Sequence, residues 1–283
     1  NPDVLAPIGD VDERVGVLRF DREGGETIVL ANIGIHPDTV GGCVISGDWP
    51  AFTRRILEKT IDNTRCVLLN GCQGDVNHVN TNPAPGQNND LTMDFDDCMR
   101  GYGHAKHMGM TVAGAVMQVF SKVAYIPVES MTAMKRMLVH PSNMPKPEEL
   151  PEAHRINDLH NAGRDADIPY KGMMLTTVVA EAGRMVRLEN GPDFFDMELS
   201  GVAVGPVALI GIPGEPFNEV GKIIRKNSKF PATCVMCMAN GSLGYMPMTA
   251  DHNQGAYEDR ATPFAPGSAE HLADTASQLV KEL

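Results

Sequence analysis

Basic residues are scarce in this sequence. Twenty-four Lys and Arg stand against 36 Asp and Glu, a formal net charge of -12. That balance argues against a binder of phosphate backbones, which needs clustered cations. Long apolar runs are missing as well: no stretch approaches the ~20 residues that span a bilayer. No charged segment followed by an apolar one opens the chain, so no signal peptide is visible. The chain begins at Asn1 without methionine, and an upstream segment removed or left out is expected. Internal repeats and low-complexity tracts are absent. What remains is 283 residues, 42% of them hydrophobic, enough to bury the core of one large α/β domain or two small ones.

Cysteine is also too sparse for a disulfide scaffold. The six cysteines, at 43, 66, 72, 98, 234 and 237, show no framework spacing. Cys234-x-x-Cys237 could form a redox pair or half of a zinc knuckle, but no second C-x-x-C exists and the motif sits in a strand-like run. Buried reduced thiols are the favoured reading, and with them a cytoplasmic location.

Val15–Phe20 and Thr27–Ile35 read as strands around the turn Asp21-Arg-Glu-Gly-Gly25, and the second runs directly into His36-Pro37-Asp38. A helix follows over Pro50–Thr60, then a short buried strand over Arg65–Asn70. That strand ends in Gly71-Cys-Gln-Gly-Asp75-Val-Asn77-His78, and a polar loop covers Asn80–Asn89. Gly103–Ser121 reads as a long helix with small residues at Ala105, Gly109, Ala113 and Gly114 for close packing. Val123–Val139 is strand material, and Pro141–Tyr170 a polar helical excursion over the surface. Lys171–Arg187 is helical. Phe194–Val204 alternates and returns through Gly205-Pro206 as Val207–Ile212, a hairpin feeding Pro213-Gly-Glu215-Pro216. A helix over Asn218–Lys226, a strand over Cys234–Met238 and a helix over Ser268–Leu283 complete an α/β fold: a layered mixed β-sheet core flanked by helices.

Buried strands repeatedly end in polar, Gly-rich loops: at His36, at Asp75 and Asn77, at Glu215, and at Gly244-Tyr245. In open α/β sheets ligands sit beyond the carboxyl ends of the strands, so these groups are candidates for one cleft. Imidazole nitrogen, carboxylate and phenolate oxygen are competent zinc ligands. Each also has a plain structural reading: a hydrogen-bonded loop histidine, a carboxylate capping the next helix, a half-buried core tyrosine.

The same residues carry a resemblance. Ile35-His36-Pro-Asp-Thr-Val with Ser46-Gly-Asp48-Trp-Pro resembles the second metal-histidine segment of the neutral/alkaline ceramidase family. Asn70-Gly-Cys-Gln-Gly-Asp75-Val-Asn77 is similar to its Gly-Asp-Val-Ser loop, with Asn77 in the serine position. Gly211-Ile-Pro-Gly-Glu215-Pro-Phe-Asn resembles its Pro-Gly-Glu segment. Asn240-Gly-Ser-Leu-Gly-Tyr245 through Tyr257 resembles its paired-tyrosine segment, with the tyrosines 12 residues apart. The matches keep the family's order over residues 10–270.

The resemblance implies one ceramidase-like catalytic domain over 1–283, its N-terminal portion missing, with the excursion around 141–170. It implies Zn²⁺ held by His36, Glu215 and Tyr245, with a further His ligand expected from a segment upstream of residue 1. Tyr257 would hydrogen-bond the scissile carbonyl, and Asn77, which has no hydroxyl, would serve as an amide donor to an oxyanion. His78, Asp75 and His252 are candidates for substrate contact, while Asp48 and Asp75 also read as loop organisers. The implied activity is a zinc-dependent hydrolase of an amide or related acyl bond using metal-activated water. The substrate would be a small-molecule N-acyl compound or amide rather than ceramide, with no nucleic-acid partner and homo-oligomer formation left open. Asn77 and the missing ligand segment keep a second reading alive: a non-catalytic descendant that binds a small ligand or partner. His104 and His107 read as a surface helix start, and His140, His154 and His160 as solvated.

Overall fold

A computed structural model describes residues 9–43, 45–78, 92–94 and 98–283, so the polar loop expected over 80–89 lies outside the described residues. The chain divides into two compact units, one made of Asn1–Gly71 and Val76–Pro127, the other of Cys72–Asp75 and Val128–Leu283.

The first unit is built on a three-stranded sheet. Strand β1 (Gly16–Phe20) pairs antiparallel with β2 (Thr27–Ile33), which pairs in parallel with β3 (Thr64–Asn70). Two parallel neighbours need a crossover, and helix α1 (Asp48–Thr60) supplies it. A short antiparallel pair follows, β4 (Thr92–Asp94) with β5 (Cys98–Arg100), and then helix α2 (Tyr102–Phe120). Val29 and Ala31 of β2, Leu57 of α1, Cys66 of β3 and Ala113 and Val116 of α2 form one buried cluster.

The second unit holds a four-stranded sheet in the order β10-β8-β7-β6. Strand β6 (Met131–Pro141) is followed by helices α3 (Leu150–Asn161) and α4 (Gly172–Leu188), and then by β7 (Phe194–Val204) and β8 (Val207–Gly211). Gly205, at φ +53°, turns the β7–β8 hairpin, a backbone angle glycine adopts without a Cβ penalty. After β9 (Glu215–Pro216) and α5 (Asn218–Asn227), β10 (Ala232–Met236) returns parallel to β8. Strand β11 (Tyr245–Met246), helix α6 (Tyr257–Ala261) and helix α7 (Ser268–Glu282) end the chain.

The alternation read in β7 is observed. Met197, Leu199 and Ala203 are buried, and at Gly201 an added Cβ would lie 2.8 Å from Leu283 and 3.2 Å from Leu279. Helix α7 therefore lies directly on the sheet, burying Leu272, Ala276, Leu279 and Val280 at no measurable exposure.

Three expectations are corrected. Strand structure begins at Met131 rather than Val123; Pro127, with no N–H for a ladder, lies in the excluded stretch. The segment after Pro141 is not wholly solvated: Ala153, Ile156 and Ile168 bury against Val178 and Ala182 of α4 in a core of their own. His104 is 5% exposed and His140 6% exposed, so neither is a surface residue. His140 instead makes a 2.9 Å contact from Nε2 to the Ala265 carbonyl, and burial, the largest influence, lowers its pKa. His154 and His160 do face solvent, pairing with Glu189 and Asp165 at 2.9 and 2.8 Å.

Two of the three glycines of α2, Gly109 and Gly114, have opposite environments. A Cβ at Gly109 would meet the Phe52 Cβ at 2.5 Å and the Trp49 carbonyl at 2.9 Å, whereas one at Gly114 would meet nothing within 4 Å. Gly109→Ala is expected to cost about 1–3 kcal/mol by forcing α1 and α2 apart. Gly114→Ala should instead stabilise by about 0.5–1 kcal/mol through helix propensity. Urea unfolding of both variants checks this, and equal effects at the two positions would contradict the packing described.

Candidate functional site

The second unit assembles its site from two residues of parallel pairing. Tyr245 is the register partner of Glu215, and Met246 of Pro216. The Glu215 N–H also donates to the Gly244 carbonyl at 2.9 Å. A carboxylate and a phenol separated by 30 positions in sequence are thereby carried on adjacent strands. Tyr257, the first residue of α6, sets its ring 5.9 Å from that of Tyr245 at 78°, an edge-to-face contact.

The segment 72–75 clasps this pairing. Gln73 Nε2 donates to Glu215 Oε2 at 3.0 Å, and Gly74 N–H donates to the Pro216 carbonyl at 3.0 Å. Asp75 Oδ1 accepts the Asn218 N–H at 2.5 Å. Three consecutive residues thus engage three features of Glu215–Asn218. The cap of α5 comes from Asp75, a carboxylate at a helix N-terminus. Only glycine fits at position 74, where a Cβ would lie 2.5 Å from the Glu215 carbonyl oxygen. Gln73 was not singled out in the sequence, although it stands inside the loop that was.

A cleft of about 520 Å³ opens beside this assembly, with Tyr245 and Tyr257 on its wall. Burial raises the Tyr257 pKa above the ordinary phenol value, with the charges of Glu258 and Glu215 adding to it. The phenol therefore remains a neutral O–H donor at neutral pH. Its folded-state value lies above the unfolded one, so its contribution to stability is present below about pH 10 and is lost as pH rises through the raised value. His252, between the two tyrosines in sequence, is buried and pairs through Nδ1 with Asp259 at 2.9 Å.

On the first unit, β2 ends three residues before His36. The His36 main chain is fixed at both ends: its N–H donates to the Val76 carbonyl at 2.9 Å, and its carbonyl accepts from Trp49 Nε1 at 3.0 Å. Asp48, at φ +48°, organises this loop by accepting the Val40 and Trp49 N–H groups, each at 2.7 Å. Asn77 and His78 gather on Asp38. Asn77 Nδ2 donates to Asp38 Oδ2 at 3.3 Å, and His78 Nδ1 lies 3.1 Å from Oδ1. A carboxamide nitrogen has two hydrogens, so this bond leaves Asn77 one N–H for other acceptors. The His104 ring packs at 5.4 Å from His78, and burial lowers its pKa.

The residues expected to act together thus fall into two groups, each assembled by its own unit: Glu215, Tyr245 and Tyr257 with Gln73 and Asp75, and Asn77 and His78 with Asp38. Carboxylate and phenol oxygens suit zinc. Among the described residues, no group of three or more His, Cys, Asp and Glu is positioned to hold a metal ion. Nor is any helix of the described residues long and apolar enough to cross a membrane.

No family model and no curated relative matches the sequence. Solved structures do match. The chain is similar over its whole length to neutral ceramidase from Pseudomonas aeruginosa, at 14% identity and a TM-score of 0.64, covering 49% of that chain. A ceramidase complexed with C2 gives a TM-score of 0.65 at 14% identity, with 100% of this chain and 50% of that one covered. This chain has a neutral ceramidase-like fold, with mixed α and β structure, and spans about half the length of those structures.

The Cys234-x-x-Cys237 pair lacks the features of a redox centre. Cys66, Cys72, Cys234 and Cys237 are buried, while Cys43 is exposed. Burial pushes the Cys66 thiol up to about 11 and raises Cys234 and Cys237 as well, the reverse of what a reactive thiol requires. Alkylation of the folded chain at neutral pH should modify Cys43 and spare these four until denaturant is added. Rapid labelling of Cys234 or Cys237, read by peptide mass mapping, would restore the redox reading.

Proposed function

We propose that this chain carries the catalytic machinery of a metal-dependent hydrolase that cleaves an amide or related acyl bond in a small molecule other than ceramide. The observation that carries this reading is that Glu215 pairs in register with Tyr245, whose ring meets that of Tyr257, with both tyrosines on the wall of one cleft. Packing alone has no need of a carboxylate held by an amide donor beside two phenols.

Glu215 and Tyr245 are proposed as oxygen ligands of a zinc ion. Bound zinc would supply Lewis-acid polarisation of the scissile carbonyl and lower the pKa of a water toward ~7. The remaining work belongs to the chain. Gln73 restrains the Glu215 carboxylate, so less rotamer freedom is lost on ligation. Tyr257, kept neutral by burial, donates its O–H to the carbonyl oxygen as charge develops there. Hydrolysis adds water across the C–N bond and releases an acid and an amine.

A non-catalytic binding role is the second reading. It is favoured by Asn77, which stands in the position of the family's serine and already donates to Asp38.

Glu215→Gln should lower zinc content by about 10–100-fold with the fold intact, measured by elemental mass spectrometry on protein purified without chelator. Tyr257→Phe should retain the metal and lose turnover on an amide panel. Unchanged metal in the first variant rejects the ligand assignment, and unchanged turnover in the second removes Tyr257 from the mechanism. No zinc uptake by the wild-type chain would favour the binding role.

A further inference from the structure

The cleft beside Tyr245 and Tyr257 has one charged side chain among the described residues that line it, Arg187. It stands on helix α4 with Ala180 and Gly183, which share its face at intervals of seven and four residues. Small side chains at those two positions leave the helix surface open as the floor of the cleft. Phe195 and Leu243 add apolar wall. The space is therefore an open cleft of mixed polar and apolar lining, with two tyrosines and one exposed arginine on its wall. Its volume of about 520 Å³ falls within the range that encloses a small ligand.

Arg187 is exposed where it lines the cleft. Neighbouring cations are engaged. Arg184 is buried and donates to the carbonyls of Arg260 and Asn143 at 3.1 and 2.6 Å. Arg260 pairs with Glu181, and Glu189, close to Arg187 in sequence, is taken by His154. Arg187 makes no hydrogen bond or ion pair among the described residues. On a chain carrying 36 acidic side chains, an exposed arginine on the wall of a cleft, without an ion pair among the described residues, matches an anionic group brought by a ligand. Arginine offers a planar fork of donors that a carboxylate accepts in two parallel bonds.

We infer that the cleft binds a small amide carrying a carboxylate, with the carboxylate on Arg187 and the amide against Tyr257. This rests on the hydrolase reading for the fate of the amide, but not for its binding. The carboxylate could belong to the amine half, as in an N-acylated amino acid, or to the acyl half, as in a monoamide of a dicarboxylic acid. Arg187 also lies in the last turn of α4, where a cation complements the helix dipole. That role affects stability and leaves ligand charge irrelevant.

Isothermal titration of the chain with N-acetylphenylalanine, N-acetylphenylalaninamide and N-benzylsuccinamate tests the inference, with product analysis of each mixture. At least one carboxylate should bind about tenfold or more tightly than the neutral carboxamide, as expected of a hydrogen bond to a charged group. That preference should fall with added salt, vanish in Arg187→Gln and persist in part in Arg187→Lys, with the circular dichroism of both variants unchanged. The stronger of the two carboxylates identifies the half that bears the charge. Equal binding of acid and carboxamide, binding of neither acid, or a preference that survives Arg187→Gln would overturn the inference. If Arg187→Gln does not fold, the salt dependence and the Arg187→Lys variant decide by the same criteria. Charge-dependent binding without zinc or hydrolysis would uphold this site and defeat the hydrolase reading. Hydrolysis of neutral amides that is indifferent to Arg187 would do the reverse.

Discussion

Parallel pairing of Glu215 with Tyr245 and of Pro216 with Met246 is the constraint on which the candidate site depends. Two residues of ladder are too little to be stable alone, so the pairing persists only because other elements hold it. The segment 72–75 grips β9 and the start of α5 through Gln73, Gly74 and Asp75. Thr262 donates to the Tyr245 carbonyl at 2.7 Å from the other side, and Met246 is fully buried in the main core. A short strand pair clamped in this way fixes the relative placement of a carboxylate and a phenol more tightly than free loops would.

Burial around this pairing decides the chemistry of each group. Tyr257 is desolvated enough to stay a neutral donor. The thiols of Cys234 and Cys237 are desolvated enough to stay inert, though their C-x-x-C spacing matches that of redox pairs. Histidines of the chain sort in the same way. His78 and His252 are buried against single carboxylates, while His154 and His160 pair with carboxylates in solvent, where such pairs contribute little.

Similarity to neutral ceramidase structures shows a shared fold at an identity too low to transfer chemistry. Function therefore has to be argued from the groups themselves. Arg187 illustrates this: it belongs to none of the motifs that carry the family resemblance, and it is the one charge on the cleft wall among the described residues. An anionic ligand end fits that wall and separates the substrate class proposed here from an uncharged lipid amide.

Sequence alone determined the local elements and the order of the polar loops. Alternating residues in Phe194–Val204, turn chemistry at Gly205-Pro206 and the apolar face of Pro50–Thr60 act within windows of a few residues, where periodicity is a sufficient guide. It also marked His36, Asp75, Asn77, Glu215 and Tyr245, because each follows a buried strand. Only the tertiary structure decided which of them meet. Pairing 215 with 245, and the return of residues 72–75 to that pair, depend on contacts separated by 30 to more than 140 positions, for which a local pattern carries no signal. The same holds for His104 and His140, polar residues whose burial is set by what packs on them from distant segments. Arg187 is an exposed cation in the last turn of α4. Its place on one cleft with Tyr245, Tyr257 and Phe195 comes from the tertiary fold.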